Sequence, residues 1–158
     1  MNNKNVIIKY PDPLLRKKSR EVEEVTEEIK ELVGRMIGVM KKEGGIGLAA
    51  CQIGELKRII VVGTEEKNFQ AFVNPKVVSR SREAEIMEEG CLSFPGLFLK
   101  IKRPEKVEVE AVNLAGERVK IKAQGLLARV FQHEIDHLNG ILFIDRIGFW
   151  KRIKLKTR

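Results

Sequence analysis

The chain has 158 residues, of which 43% are hydrophobic and 33% are charged. This length corresponds to about one domain, and we expect a single catalytic or binding domain over residues 1–158. No run approaches the roughly 18 apolar residues of a membrane span, so we expect no membrane partner. Residues 1–11 lack a long apolar segment and a small-residue cleavage site, which predicts no signal peptide and a cytoplasmic location.

The charge and the cysteines restrict the function only loosely. A net charge of +8 would favour nucleic acid or another anionic partner. The 30 basic residues are interleaved with 22 acidic ones, however, and a solvated surface explains the same composition. Two cysteines, Cys51 and Cys91, are too few for a disulfide framework, and we expect them to bind metal, take part in chemistry or fill the core.

The first predicted element is an amphipathic helix over residues 27–42. Its apolar residues recur every three or four positions and form one stripe. Thr26 is suited to cap its N-terminus, and Gly44 and Gly45 are expected to end it.

Strands and loops are predicted from there to about residue 124. Residues 58–63 have the apolar pattern of a buried strand, and residues 71–75 predict a short strand broken by Pro75. Residues 106–112 and 118–122 alternate polar and apolar side chains around a turn, which predicts a hairpin.

A second helix is predicted from about Leu126 to Asn139, with Gly140 just past its end. The expected fold is therefore α+β, with mostly antiparallel strands packed around this central helix and an amphipathic helix near the N-terminus.

The glycine-rich segment Gly45–Ala50 fits the G-x-G-x-x-A pattern of dinucleotide-binding loops. Such a loop must follow a strand and begin a helix, because the helix N-terminus holds the phosphate. Here the glycines follow a helix and precede a strand. This order argues against the dinucleotide interpretation, and the segment requires another explanation.

The second helix carries the H-E-x-x-H pattern at His133, Glu134 and His137. Residues four apart lie on one face of a helix, so both imidazoles can bind one metal ion, with Glu134 placed to act on water. The two histidines are the only ones in the chain, and both belong to the pattern. The alternative is a pair of ordinary core histidines on an amphipathic helix.

A catalytic metal site of this type needs a third protein ligand. The sequence has no third histidine, and the only acid after His137, Asp145, is expected to lie too close to serve. The ligand should therefore come from upstream, where Cys91 is the best candidate because a thiolate binds zinc or ferrous iron strongly. A small buried hydrophobic side chain is the alternative for Cys91.

Three segments together resemble the peptide deformylase family, which combines G-x-G-L-A-A-x-Q, E-G-C-L-S and Q-H-E-x-D-H-L-x-G in this order. The matching residues are Gly45–Gln52, Glu89–Ser93 and Gln132–Gly140. The early segment Asp12–Arg16 is also similar to the N-terminal part of that family. The resemblance covers nearly the whole chain.

The resemblance implies a metallohydrolase that removes the formyl group from the N-terminal formylmethionine of newly synthesised polypeptides and releases formate. It implies one divalent metal held by Cys91, His133 and His137. That metal is typically Fe²⁺ in the family, although Zn²⁺, Ni²⁺ or Co²⁺ can take its place. Glu134 then acts first as a general base and afterwards as an acid.

The resemblance also implies that the Gln52 side chain and the Leu92 backbone N–H stabilise the developing oxyanion. Gly47 is expected to let an extended substrate lie against the loop as an added strand. Four residues are candidates for the pocket of the methionine side chain, with ordinary core packing as the alternative: Ile46, Met87, Leu126 and Val130.

Three further side chains are notable beside these motifs. Cys51 stands where the family often has proline, threonine or valine, and we expect it to fill space. Arg129 stands where some members have an apolar pocket residue, and we expect its stem to line the rim with its guanidinium in solvent. Arg103 is predicted to pair with Glu89 and support the Cys91 segment, although it is equally compatible with an ordinary surface arginine.

Two other functions remain as alternatives. A zincin peptidase would share H-E-x-x-H but should have a third histidine or glutamate downstream, which this sequence lacks. A non-enzymatic RNA-binding domain would use the basic surface and need no metal. The basic tail Trp150–Arg158 predicts either a transient contact with ribosomal RNA or a solvated terminus, and we expect no DNA partner.

Overall fold

The computed structural model describes residues 5–63 and 68–156, so the last two residues of the basic tail, Thr157 and Arg158, lie outside it. The described residues form three α-helices: α1 (Glu27–Glu43), α2 (Gly125–Leu138) and α3 (Phe149–Lys156). The strands are β1 (Gly47–Ala49), β2 (Ile59–Gly63), β3 (Phe69–Arg80), β4 (Ala84–Cys91), β5 (Phe94–Pro104), β6 (Lys106–Val112) and β7 (Arg118–Gln124). Short 3-10 turns occur at Pro13–Arg16, Ala50–Ile53 and Phe143–Arg146.

The strands form two antiparallel sheets. The larger sheet has the order β1-β2-β3-β6-β7, and β4 and β5 form a separate two-stranded sheet. The expected α+β class with antiparallel strands around the H-E-x-x-H helix is confirmed.

The larger sheet lies between the two long helices, which β2 shows most clearly. Ile59 and Val61 pack in one core cluster with α1, whereas Ile60 and Val62 pack in another with α2. Successive side chains of a strand point to opposite faces, so a strand covered on both sides must be apolar throughout. This is why residues 59–62 read as one uninterrupted apolar run.

The ends of α1 agree with the prediction to within one residue. The Thr26 hydroxyl accepts a hydrogen bond from the Ile29 backbone N–H, which is the N-cap interaction. Gly44 ends the helix in the left-handed conformation, with φ of +69°.

The prediction that Pro75 breaks a short strand was wrong, because β3 continues through it to Arg80. The pairing with β6 shifts register between Val73 and Lys76, and Asn74 there has a positive φ of 50°. A bulge of this kind absorbs a proline, which has no N–H to donate to the ladder. Asn74 also binds both backbone groups of Val22 through its side-chain amide.

Three strands and one helix were not predicted individually: β1, β4, β5 and α3. β4 and β5 form a hairpin whose strands carry charged residues at many positions, and its register shifts between Gly90 and Cys91. The tail forms the short helix α3, which leaves Phe149 and Trp150 exposed. None of the helices in the described ranges is long and apolar enough to cross a membrane.

We predict that Gly140→Ala destabilises the protein. Gly140 has φ of +70°, and a Cβ there would lie 2.3 Å from the Arg16 carbonyl oxygen. The left-handed conformation and the clash should together lower the free energy of unfolding by about 2 kcal/mol or more. Chemical denaturation measures the loss.

Gly38→Ala is the matched control. Gly38 is exposed in the interior of α1, and nothing lies within 4 Å of the position that its Cβ would take. Alanine there should raise the free energy of unfolding by about 1 kcal/mol, the difference in helix propensity. Equal effects of the two substitutions would contradict the structural assignment of Gly140.

Candidate metal centre and catalytic site

The α2 helix brings His133, Glu134 and His137 into the interior of the protein. All three side chains are buried, and the two imidazole rings lie 5.0 Å apart between centroids. Their spacing of four places both rings on one face of the helix, one turn apart. Because α2 is covered by both sheets, polar side chains on this face require specific partners.

The Cys91 side chain meets this pair from the end of β4. Its Sγ atom lies 3.3 Å from Nε2 of His137, and the candidate ligand atoms of Cys91, His133 and His137 all lie within 4.8 Å of one another. Nitrogen and sulfur ligands around a tetrahedral ion are about 3.5 Å apart at ordinary bond lengths. The three side chains therefore fit a zinc- or iron-like divalent metal in both donor type and spacing.

Hydrogen bonding leaves the correct nitrogen of His133 available for a metal. Nδ1 lies 2.9 Å from Oε1 of Glu89, and because a carboxylate only accepts, Nδ1 carries the proton. Burial lowers the pKa of His133, but hydrogen bonds to Cys91 and Glu89 outweigh it and raise that pKa to about 10. A metal at Nε2 therefore displaces a proton when it binds.

The second imidazole is already in the form that a metal requires. Burial, followed by the charges of His133 and Arg103, holds the pKa of His137 well below its ordinary value. His137 is therefore neutral at pH 7, and its Nε2 faces the Cys91 sulfur.

Glu89 is the centre of a buried polar network behind the metal ligands. Its carboxylate accepts hydrogen bonds from Arg103 at 2.6 and 3.0 Å, from Arg129 at 2.5 Å and from His133. Burial alone would raise the pKa of Glu89, but the bonds from His133 and Arg103 lower it to about 2. Glu89 is therefore ionised, and the predicted pair with Arg103 is present.

The network extends along α2 to Asp136. This carboxylate accepts hydrogen bonds from Arg103 at 2.9 Å and from Arg146 at 2.6 and 3.0 Å. Arg103 thus joins the two carboxylates, and it is 4% exposed rather than a surface arginine. The Asp136 link was not predicted from the sequence.

The expectation for Arg129 was wrong. Its guanidinium is not in solvent: the residue is 5% exposed, and its Nη atoms donate to Glu89, to the Ile101 carbonyl and to the Glu85 carbonyl. Three acceptors in fixed positions make burial of the cation possible. Arg129 is nevertheless among the residues that line the cavity described below.

The Glu134 carboxylate is buried and incompletely hydrogen-bonded. Its Oε2 atom is buried and has no hydrogen-bond partner among the described residues. Burial raises the pKa of Glu134 to about 7, although the positive charge of His133 opposes the rise. A buried unpaired carboxylate oxygen is costly unless a ligand or water binds it, which supports a reaction at this point.

Gly47 lies against Glu134, for a reason that the sequence did not reveal. A Cβ at residue 47 would lie 2.5 Å from Oε1 of Glu134 and 2.8 Å from Cγ1 of Val130. Glycine therefore allows β1 to approach α2 at this point without displacing either side chain.

The Gln52 side chain is oriented by bonds at both ends. Its Oε1 accepts from the Ala49 backbone N–H at 2.9 Å, and its Nε2 donates to the Ser93 hydroxyl at 3.1 Å. Nε2 also lies 3.7 Å from the Cys91 sulfur. The amide group thus faces the metal ligands, and Ser93 is a contributor that sequence reasoning missed.

An open cavity of about 580 Å³ joins these groups. Of the predicted substrate residues, Ile46, Gly47, Leu126 and Val130 line it, together with Gln52, Leu92 and the ligands Cys91 and His133. Met87 is not part of the lining, and its strand position pairs with Ile101 instead. Lys9, which the sequence did not single out, also lines the cavity and donates to the Leu92 carbonyl at 2.8 Å.

Cys51 lies close to the site but is closed off from it. The residue is completely buried, and its thiol donates to the His137 carbonyl oxygen at 3.6 Å. Burial, and then the negative charge of Glu134, raise the pKa of this thiol to about 12.

The chain is similar to known proteins over nearly its whole length. The family model described as polypeptide deformylase matches residues 4–152. The peptide deformylase of Desulforudis audaxviator is 47% identical over 140 residues, which cover 89% of this chain and 91% of that protein. That of Acinetobacter baumannii is 44% identical over 154 residues, which cover 96% and 88%.

Solved structures give the same result. The crystal structure of peptide deformylase from Ehrlichia chaffeensis has a TM-score of 0.89 at 40% identity and covers 96% of this chain and 94% of that one. The corresponding enzyme from Thermotoga maritima has a TM-score of 0.87 at 43% identity, with coverage of 90% and 96%.

We predict that the two cysteines differ sharply in reactivity. In protein stripped of metal, iodoacetamide at pH 8 should modify the partly exposed Cys91 and leave Cys51 intact, because Cys51 is buried and its pKa is raised. Peptide mass spectrometry locates the label. Denaturation should expose both thiols, and labelling of Cys51 in the native protein would contradict the structure.

Proposed function

The chain belongs to the peptide deformylase family, and we propose that the buried cluster on α2 and β4 is the centre of its reaction. Members of this family are metallohydrolases that remove the formyl group from the N-terminal formylmethionine of newly synthesised polypeptides and release formate. One observation carries the proposal: Oε2 of Glu134, which has no hydrogen-bond partner among the described residues, belongs to the residue next to His133, whose ring joins Cys91 and His137 in one potential metal site.

In this proposal Cys91, His133 and His137 hold one divalent metal. Fe²⁺ is the native ion, and Zn²⁺, Ni²⁺ or Co²⁺ can replace it, since a thiolate with two imidazoles suits all four. When bound, the metal supplies Lewis acidity, which polarises the formyl group and favours deprotonation of water. Glu89 supports the set by holding Nδ1 of His133, and Arg103 holds Glu89.

Glu134 moves the proton during hydrolysis. With a pKa near 7, its carboxylate accepts a proton from the attacking water and later donates it to the leaving amine. The close approach of Gly47 restricts where this carboxylate can go, so it is held ready at the cavity wall.

The charge that develops on the formyl oxygen requires preorganised donors. We assign these to Nε2 of Gln52 and to the backbone N–H of Leu92. Ala49 and Ser93 fix the orientation of the Gln52 amide before the substrate arrives, so that little reorganisation is needed.

The substrate binds along β1. This strand lies at the edge of the larger sheet, and among the described strands it pairs with β2 alone, so an extended peptide can add to its other side. The methionine side chain then enters the part of the cavity lined by Ile46, Leu126 and Val130.

The reaction takes place in the cytoplasm, where nascent formylated chains are made and where a thiolate ligand stays reduced. A transient contact with the ribosome is proposed for α3. Its exposed Phe149 and Trp150 stand beside Lys151, Arg152 and Lys154, a combination suited to ribosomal RNA.

The ligand set is tested by Cys91→Ser with Cys51→Ala as the matched control. After anaerobic purification, we expect about one metal ion per chain in the wild type and in Cys51→Ala, and at least tenfold weaker metal retention in Cys91→Ser. Elemental analysis before and after dialysis gives the result and also identifies the ion. Normal metal content in Cys91→Ser would remove Cys91 from the set.

The role of Glu134 is tested by Glu134→Gln. We expect the metal to be retained and kcat on formyl-Met-Ala-Ser to fall by about 10²–10⁴, because the amide cannot transfer the proton. Formate release is the measurement, and wild-type activity in this variant would refute the assignment. Cleavage of unformylated casein, with formyl-Met-Ala-Ser left intact, would instead support the peptidase alternative.

A further inference from the structure

One carboxylate joins two residues of α2 that are a single helical turn apart. Arg129 and His133 have the spacing i and i+4, so their side chains lie on the same face of the helix. Nη1 of Arg129 donates to Oε2 of Glu89, and Nδ1 of His133 donates to Oε1 of the same residue. Glu89 is therefore held against α2 at two adjacent points.

These hydrogen bonds connect the two parts of the fold that supply the candidate metal ligands, the two-stranded sheet and α2. Cys91 ends β4 in the two-stranded sheet, whereas His133 and His137 belong to α2. Glu89 precedes Cys91 by two residues in β4. Its connection to α2 therefore helps to determine how far the thiolate stands from the imidazoles.

Arg129 contacts both strands of this small sheet. Besides Glu89, it donates to the Glu85 carbonyl of β4 at 2.7 Å and to the Ile101 carbonyl of β5 at 2.9 Å. Other links between α2 and this sheet reach β5: Arg103 of β5 binds Asp136, and Gln132 donates to the Pro104 carbonyl. Among the described residues, Arg129 and His133 reach β4 through Glu89, whereas His137 contacts it at Cys91, the candidate ligand itself.

We propose that Arg129 is a positioning residue that acts through Glu89 to set the distance between Cys91 and the two histidines. This inference rests on the ligand set of the proposed function. Arg129 would then contribute to the assembly of the metal site, in addition to lining the cavity.

The chemistry of the site explains why arginine is needed. A guanidinium is a planar fork whose N–H groups can reach several acceptors at once, and here it serves one carboxylate and two carbonyls. Lysine would place its three donors on one nitrogen of a flexible stem, whereas the three acceptors here are shared between two nitrogens of a rigid group. Methionine would fill the space of the stem but would leave buried acceptors without their donor.

The test compares Arg129→Lys and Arg129→Met with the wild type, all loaded with Zn²⁺. We expect zinc transfer to a chelator to be at least tenfold faster in Arg129→Met and to be intermediate in Arg129→Lys. At saturating zinc, kcat should fall at least tenfold, with KM changed less than twofold. Arg118→Met, at an exposed arginine of β7, is the control and should match the wild type.

A double-mutant cycle shows whether Arg129 acts through Glu89. In a Glu89→Gln background, Arg129→Met should cause little further acceleration of zinc release, because the link is already broken. Fully additive effects would overturn the proposal. So would a lower melting temperature with an unchanged rate of zinc release in both Arg129 variants, which would mean a purely structural role.

The same measurements separate this inference from the proposed function. If Cys91→Ser releases zinc at the wild-type rate, the ligand set is wrong, and the positioning role falls with it. If Cys91→Ser loses zinc but neither Arg129 variant does, the ligand set stands and only the role of Arg129 is refuted.

Discussion

The buried Glu89 carboxylate is the interaction on which the rest of the site depends. Two arginines and His133 share it, and its negative charge is stable in the interior only because they do. The bond to His133 fixes the proton on Nδ1 and leaves Nε2 for a metal. The bonds to Arg103 and Arg129 fix Glu89 itself, and with it the strand that ends at Cys91. One carboxylate, that of Glu89, therefore influences both the tautomer of His133 and the position of the backbone that carries Cys91.

The sheet and helix arrangement makes such a network possible. Because α2 packs on the larger sheet and also binds β5 of the smaller one, its residues 128–138 are all buried. Polar residues on an enclosed helix must satisfy one another, which concentrates charge and shifts pKa values in a small volume. The same packing places β1 so close to α2 that a Cβ at residue 47 would displace the side chains of Glu134 and Val130. The Glu134 carboxylate and the edge strand are thus neighbours because of the fold.

Periodic patterns in the sequence made part of the fold and of the candidate site predictable. The 3.6-residue period revealed α1 and α2, alternation revealed the β6–β7 hairpin, and H-E-x-x-H placed two imidazoles on one face. The roles of Gln52 and Leu92 came from family resemblance, since no periodicity marks them.

Arg129 could not be placed from the sequence, because its partner Glu89 is 40 residues away and the β4–β5 hairpin that presents Glu89 has no clear pattern. The passage of β3 through Pro75 was missed because a bulge depends on the partner strand.

The edge position of β1 has a consequence for the behaviour of the protein at high concentration. An unpaired strand edge that accepts a peptide can also accept another copy of the chain, and long exposed edges promote aggregation. Here that edge is only three residues long. Glu43, the last residue of α1, also lines the cavity beside it. A strand this short offers few hydrogen bonds, so a second molecule gains little by pairing there. In the proposed binding mode a substrate gains more, because its formylated end also reaches the groups deeper in the cavity. The shortness of β1 therefore disfavours self-association more than it disfavours the proposed binding of a substrate.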